Sequence, residues 1–106
     1  MIIIAGYLEV DPPDRDEYVH AFTDFIKTAR QATGCLDFSI SVDTADPARM
    51  NMFELWNTQE DLDAFRAQAE PPDTDVEFIG GWVQEYLIEY SRDPFSTDNT
   101  TPEATP

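Results

Sequence analysis

The sequence predicts an α+β fold: a four-stranded antiparallel sheet with both helices on one face, in the order β-α-β-β-α-β, the ferredoxin-like arrangement. Three observations carry that prediction. Four segments rich in β-branched and aromatic residues are interleaved with two segments of helical period. Pro12-Pro13, Gly34, Pro47, Pro71-Pro72 and Gly80-Gly81 punctuate them as strand, helix and turn ends. Finally, 106 residues at 42% hydrophobic and 12% aromatic suit one domain with one core and are too apolar for a disordered chain.

Ile2 to Val10 reads as the first strand, apolar on both faces and therefore central. Asp11-Pro12-Pro13 ends it, because proline cannot donate to a ladder. Asp14 to Thr33 reads as one long amphipathic helix, with Asp14 as cap and Glu17 completing a capping box. Tyr18, Phe22, Phe25, Ile26 and Ala29 form its apolar stripe, and His20 lies about 160° away at 100° per residue, facing solvent. Gly34 is the stop signal. Leu36 to Val42 alternates, with Leu36, Phe38, Ile40 and Val42 inward and Asp37, Ser39, Ser41 and Asp43 outward. A turn over 44–48 leads into Arg49 to Trp56, where Met50, Met52, Glu54 and Trp56 share a face opposite Asn51, Phe53 and Leu55. Asn57 or Thr58 caps a second helix from Gln59 to about Ala69, striped by Leu62, Phe65 and Ala69. In residues 73–81, Val76, Phe78 and Ile79 read as a cover over a core edge with Gly80-Gly81 as a flexible joint, and both a helix and a lid are open over 71–81. Trp82 to Tyr90 is the last strand. The domain is read as residues 1–91, and residues 92–106, rich in Thr, Pro and acid, as a disordered tail anchored at most by Phe95.

Two helices cover one face of such a sheet. Here the other face is apolar too: Ile3, Ala5 and Tyr7 oppose Ile2, Ile4 and Leu8, and Phe53 and Leu55 oppose Met52 and Trp56. A second apolar face needs a partner, so the sequence predicts a homodimer packed sheet on sheet.

The formal charge is −16, from 22 acidic and 6 basic residues. Phosphate-backbone binding needs clustered Lys and Arg, so nucleic acid is excluded as partner, and anionic membrane is disfavoured. No basic start or long apolar run marks a signal or a span, so the expected location is cytoplasmic. The acid excess has two readings, a halophilic surface or an ordinary acidic one; we adopt the second. One cysteine and one histidine rule out a Cys-x-x-Cys centre and a histidine-rich metal site within the chain, and no glycine-rich phosphate loop or calcium loop is present. No cofactor is expected. Cys35, with no cation beside it, reads as a small core-edge residue.

Chemistry concentrates around the third strand. Gly34-Cys35-Leu36, the Asp46-Pro47 hairpin, and Glu54-x-Trp56 leading into Leu62-Asp63-Ala64-Phe65 together resemble the antibiotic biosynthesis monooxygenase family, over roughly residues 1–91. That resemblance implies a dimeric α+β barrel with a cleft between helices and sheet. It also implies cofactor-free oxidation of electron-rich phenolic or quinol-type molecules by O₂, or haem degradation. Trp56 matches the family tryptophan, which lines the substrate cleft in some members, and Glu54 the family glutamate, so both are the candidate catalytic residues. The family's helix histidine falls on Phe65, a departure that counts against haem degradation.

Strand alternation and the helical stripe supply candidate walls for a small hydrophobic or aromatic substrate: Tyr7, Met50, Met52, Tyr86 and Phe22. Glu54 would serve as base if burial raised its pKa. The competing reading makes these side chains core or dimer interface, with Glu54 paired to Arg49 or Arg66 or across the dimer. A non-catalytic dimeric barrel that binds a hydrophobic metabolite or serves assembly is therefore the second functional reading. An isomerase or lyase acting on a polar acid ranks last, given the negative charge.

Overall fold

A computed structural model describes residues 1–95 and the backbone of 103–104. The elements run β1 (Ile2–Val10), α1 (Pro12–Ala21), α2 (Thr23–Gln31), β2 (Cys35–Val42), β3 (Arg49–Trp56), α3 (Gln59–Gln68), β4 (Phe78–Leu87), β5 (Tyr90–Ser91) and β6 (Glu103–Ala104). The main sheet is antiparallel in the order β2-β3-β1-β4, the expected ferredoxin-like topology. The disorder expected over 92–106 falls partly outside the described residues; within them, Glu103–Ala104 pair with Tyr90–Ser91. Phe95 is 93% exposed and anchors nothing.

The long first helix is in fact two. Phe22 leaves helical geometry at φ −87°, ψ 2°, and its N–H turns to the Val19 carbonyl. The Thr23 hydroxyl donates to the His20 carbonyl at 2.8 Å, a local bond of the kind that bends helices. The start also lies earlier than Asp14. Pro12 and Pro13 end the strand and begin α1, because proline's fixed φ and missing N–H suit a helix's first turn. The second helix matches its prediction closely, with Thr58 accepting from the Asp61 N–H at 3.1 Å.

Two strand readings are corrected. Leu36 sits in a β-bulge between Cys35 and Asp37, is exposed, and leaves Cys35 opposite Trp56. The last strand starts at Phe78 and ends at Leu87, so Gly80 and Gly81 are inside it rather than a joint. Gly81 adopts φ +147°, and a Cβ there would lie 2.7 Å from the Tyr7 carbonyl oxygen, so glycine permits the close approach of β1 and β4. Residues 71–77 form no regular element. Phe78 then meets Tyr18 of α1 edge to face at 5.6 Å, which covers that end of the core.

Register assigns the faces. Ile2 opposes Trp56, Ile4 opposes Glu54, Gly6 opposes Met52 and Leu8 opposes Met50, all toward the helices. The core lies there: Ile2, Ile4, Ala29, Phe38, Trp56, Leu62 and Phe65 form one buried cluster. Each large member stabilises by roughly 1.5–3 kcal/mol through burial. On the opposite face, Ile3, Tyr7, Phe53, Leu55, Trp82 and Tyr86 meet no helix, and Trp82 is 62% exposed.

Candidate functional site

A cavity of about 190 Å³ lies between the helices and the sheet. The strands supply Leu8, Phe38, Ile40, Met50, Met52 and Glu54 as its floor, and Tyr18, Phe22 and Phe25 close it from α1 and α2. The break at Phe22 matters here, because it turns that ring inward while Phe25 begins the next apolar face. The lining is apolar and aromatic apart from one carboxylate and one phenol. An apolar cavity of about 150 Å³ holds benzene, so this one suits a single ring or a compact pair.

Glu54 is the polar centre. It is buried among hydrophobic neighbours, and its Oε1 accepts a hydrogen bond from Trp56 Nε1 at 2.9 Å. Burial pushes its pKa above the ordinary carboxylate value; the Trp56 bond and the more distant Arg66 charge pull the other way with less effect. Arg49, one of the two arginines offered as partners, is on the other face of β3, where its Nε donates to Asn51 Oδ1 at 2.8 Å and lies 3.7 Å from Asp43 Oδ1. Tyr18 is also pushed up by burial, so its phenol stays protonated at neutral pH.

The structure brings together Phe22, Met50, Met52 and Glu54, four of the seven candidate site residues. Trp56 lies one layer deeper. It is 0% exposed, and Phe65 packs on it at 5.1 Å with the rings 35° apart. It therefore touches the site through Glu54 and not as a wall. Tyr7 and Tyr86 are not at the cavity. Both occupy odd places in the β1 alternation, Tyr7 directly and Tyr86 as the partner of Ile3, and so point to the open face. The guanidinium of Arg49 stands 4.0 Å over the Tyr7 ring there. Leu8, Tyr18, Phe25, Phe38 and Ile40 are the walls that sequence reasoning missed. Their inward stripe is legible in the sequence, but which inward residues border a void depends on how five elements pack.

Haem does not fit the donor set. His20 is exposed on α1 and lines a separate surface hollow with Asp16 and Lys27 rather than this cavity, and the space beside Trp56 is filled by Phe65, Phe25 and Phe38 in mutual edge contact at 5.7–6.2 Å. Among the described residues no cluster of three or more His, Cys, Asp or Glu is placed to hold a metal ion, and no helix is long and apolar enough to cross a membrane.

Comparison with known proteins points one way. The family model described as antibiotic biosynthesis monooxygenase matches residues 1–70. An uncharacterized protein of Synechocystis sp. is 29% identical over 62 residues, 58% of this chain and 42% of its own length, so the match spans less than half of that relative. Among solved structures, a protein described as an antibiotic biosynthesis monooxygenase from Nitrosomonas europaea superposes with a TM-score of 0.65 at 18% identity, covering 85% of this chain and 100% of its own. The haem degrader of Mycobacterium tuberculosis, solved with two haems in its active site, gives a TM-score of 0.64 at 14% identity, covering 88% of this chain and 100% of its own. These likenesses establish the shared fold.

Proposed function

The chain belongs to the antibiotic biosynthesis monooxygenase family, and on that premise we propose that it oxidises a small phenolic or quinol-type molecule with O₂ in the cavity above Glu54. The observation that carries this reading is a single buried carboxylate in an otherwise aromatic and aliphatic cavity of about 190 Å³. A carboxylate whose pKa is raised by burial is a better base at neutral pH than an exposed one. Glu54 takes the proton of the substrate's acidic C–H or O–H, and the resulting electron-rich anion passes an electron to O₂. Radical recombination gives a hydroperoxide that loses water. A ring CH₂ thereby becomes C=O, with one oxygen atom retained and the other released as H₂O. The substrate loses four electrons and O₂ gains four, so the chemistry balances with no further reductant. The protein supplies the base, the apolar walls of Phe22, Met50 and Met52, and exclusion of water.

The open face supports a second copy of the chain as partner. Trp82 and Tyr86, 62% and 49% exposed, share the open face with Tyr7 and Phe53 and the polar Asn51 and Gln84, an aromatic surface that sheet-on-sheet packing would bury. A barrel formed that way also serves the alternative, in which the cavity binds a hydrophobic metabolite without converting it.

The test is oxygen uptake by purified, metal-stripped protein with one-ring and two-ring quinols, beside Glu54→Gln. Uptake above the spontaneous rate, falling about 10²-fold or more in the variant, is expected. Uptake equal to the blank, with the same compounds still binding, would move the assignment to the non-catalytic reading.

A further inference from the structure

This inference rests on Glu54 as the cavity's base and deepens it. We propose that Trp56 is the positioning residue for that carboxylate: its indole N–H holds Oε1 and leaves the second oxygen to meet the ligand. Trp56 and Glu54 are two residues apart on one strand face, so their side chains stand side by side over the same stretch of sheet. The Nε1–Oε1 distance is 2.9 Å, and the donor is wholly buried. Such a bond, to an ionisable acceptor and away from water, is stronger and more directional than its solvated counterpart.

The indole is itself fixed. Phe65 of α3 packs on it, and Phe65 meets Phe25 of α2 at 5.7 Å and Phe38 of β2 at 6.2 Å. Movement of the indole would disturb three elements. Trp56 therefore does for Glu54 what a wall residue could not: it sets the carboxylate's rotamer and keeps one oxygen committed. A buried indole N–H needs an acceptor, and a backbone carbonyl would satisfy it. The N–H aimed at the cavity's sole carboxylate is the extra feature.

The groups facing Glu54 are few. Arg66 acts from α3, the Cys35 thiol from β2 and the Tyr18 phenol from α1. Burial pushes the thiol and the phenol above their ordinary values, as it does the Glu54 carboxyl, so neither becomes charged before Glu54 does.

The experiment needs no substrate, so its failure is separable from failure of the proposed oxidation. The chain has two tryptophans, Trp56 and Trp82, and Trp82 is exposed on the far face. Their indole ¹⁵N–¹H resonances are followed against pH in the wild-type protein. The Trp56 resonance should titrate with the Glu54 side-chain carboxyl ¹³C resonance at one shared midpoint, while that of Trp82 does not follow it. Glu54→Gln should abolish the Trp56 titration. In Trp56→Phe, which keeps an aromatic ring and loses the donor, the Glu54 midpoint should move upward. In Phe65→Leu, which loosens the same packing and keeps the donor, it should stay. Where quinol-dependent uptake is measurable, Trp56→Phe should shift its pH profile upward and lower kcat more than it changes KM. A flat Trp56 resonance while Glu54 titrates, or an unmoved Glu54 midpoint in Trp56→Phe, overturns the proposal. If Trp56→Phe fails to fold, the wild-type and Glu54→Gln titrations decide it.

Discussion

Glu54 and Arg49 lie on one strand and face opposite ways. Arg49 is engaged on the open face by Tyr7, Asn51 and Asp43, so the cation that acts on the buried carboxylate is Arg66 of α3, with less effect than burial. This separation lets burial dominate and leaves Glu54 with a raised pKa. Had the β3 register slipped by one residue, the two would have exchanged environments and the cavity would hold a guanidinium.

The raised pKa has a stability consequence of definite sign. Folded Glu54 keeps its proton to higher pH than the unfolded chain, whose value is about 4.3. Across the interval between the two, the native state binds more protons, and stability falls as pH rises. Glu54→Gln is neutral and similar in shape. Its stability relative to wild type should therefore grow from about pH 4 upward and level off once folded Glu54 is ionised. Urea unfolding of both proteins at a series of pH values measures this, and a pH-independent difference would contradict it.

Leu62 of α3 is wholly buried in the main core cluster. Leu62→Ala removes its packing and leaves a void, with an expected loss of about 2–5 kcal/mol. The urea midpoint should fall with little change in the slope. A loss below about 1 kcal/mol would mean that α3 can collapse onto the space.

Cys35 should be a poor nucleophile. Its thiol is pushed above the ordinary cysteine value, first by burial and then by the negative charges of Glu54 and Asp37. Reaction with an aromatic disulfide reagent at neutral pH should be slower than that of free cysteine and should accelerate only on moving to alkaline pH. Reaction as fast as free cysteine at neutral pH would refute this.

The open sheet face should govern association. Phe53 is central on it, flanked by Ala5 of β1 and Ser39 of β2. Phe53→Glu places a charge where a second copy would pack. Wild-type protein is expected at about twice the 12.1 kDa chain mass by sedimentation, and the variant at the chain mass. A wild-type monomer would refute the dimer.

Several features are legible in the amino-acid sequence alone. The bounds of β1 and β3 follow from proline and turn punctuation, and the inward face of β3 follows from simple alternation through Met50, Met52, Glu54 and Trp56. Other features are not. The bulge at Leu36 breaks the alternation of β2 by inserting one unpaired residue, which polarity alone does not reveal. Gly80-Gly81 carries the composition of a joint, yet pairing with β1 holds it in a strand. Tyr7 and Tyr86 have the chemistry of cavity walls, and their place in the register puts them on the other face.

Most inward positions follow from the amino-acid order alone, because periods of two and of about 3.6 are local properties of backbone geometry, and they fail where the Leu36 bulge breaks the period. The sequence also determined the topology, since the order of elements and the lengths of their connections leave few foldings open. Only the tertiary structure decided where a void remains and which polar group borders it. That outcome depends on side chains from α1, α2, β1, β2 and β3 meeting at one place, and close packing left the indole of Trp56 beneath Phe65 while Glu54 reached the cavity.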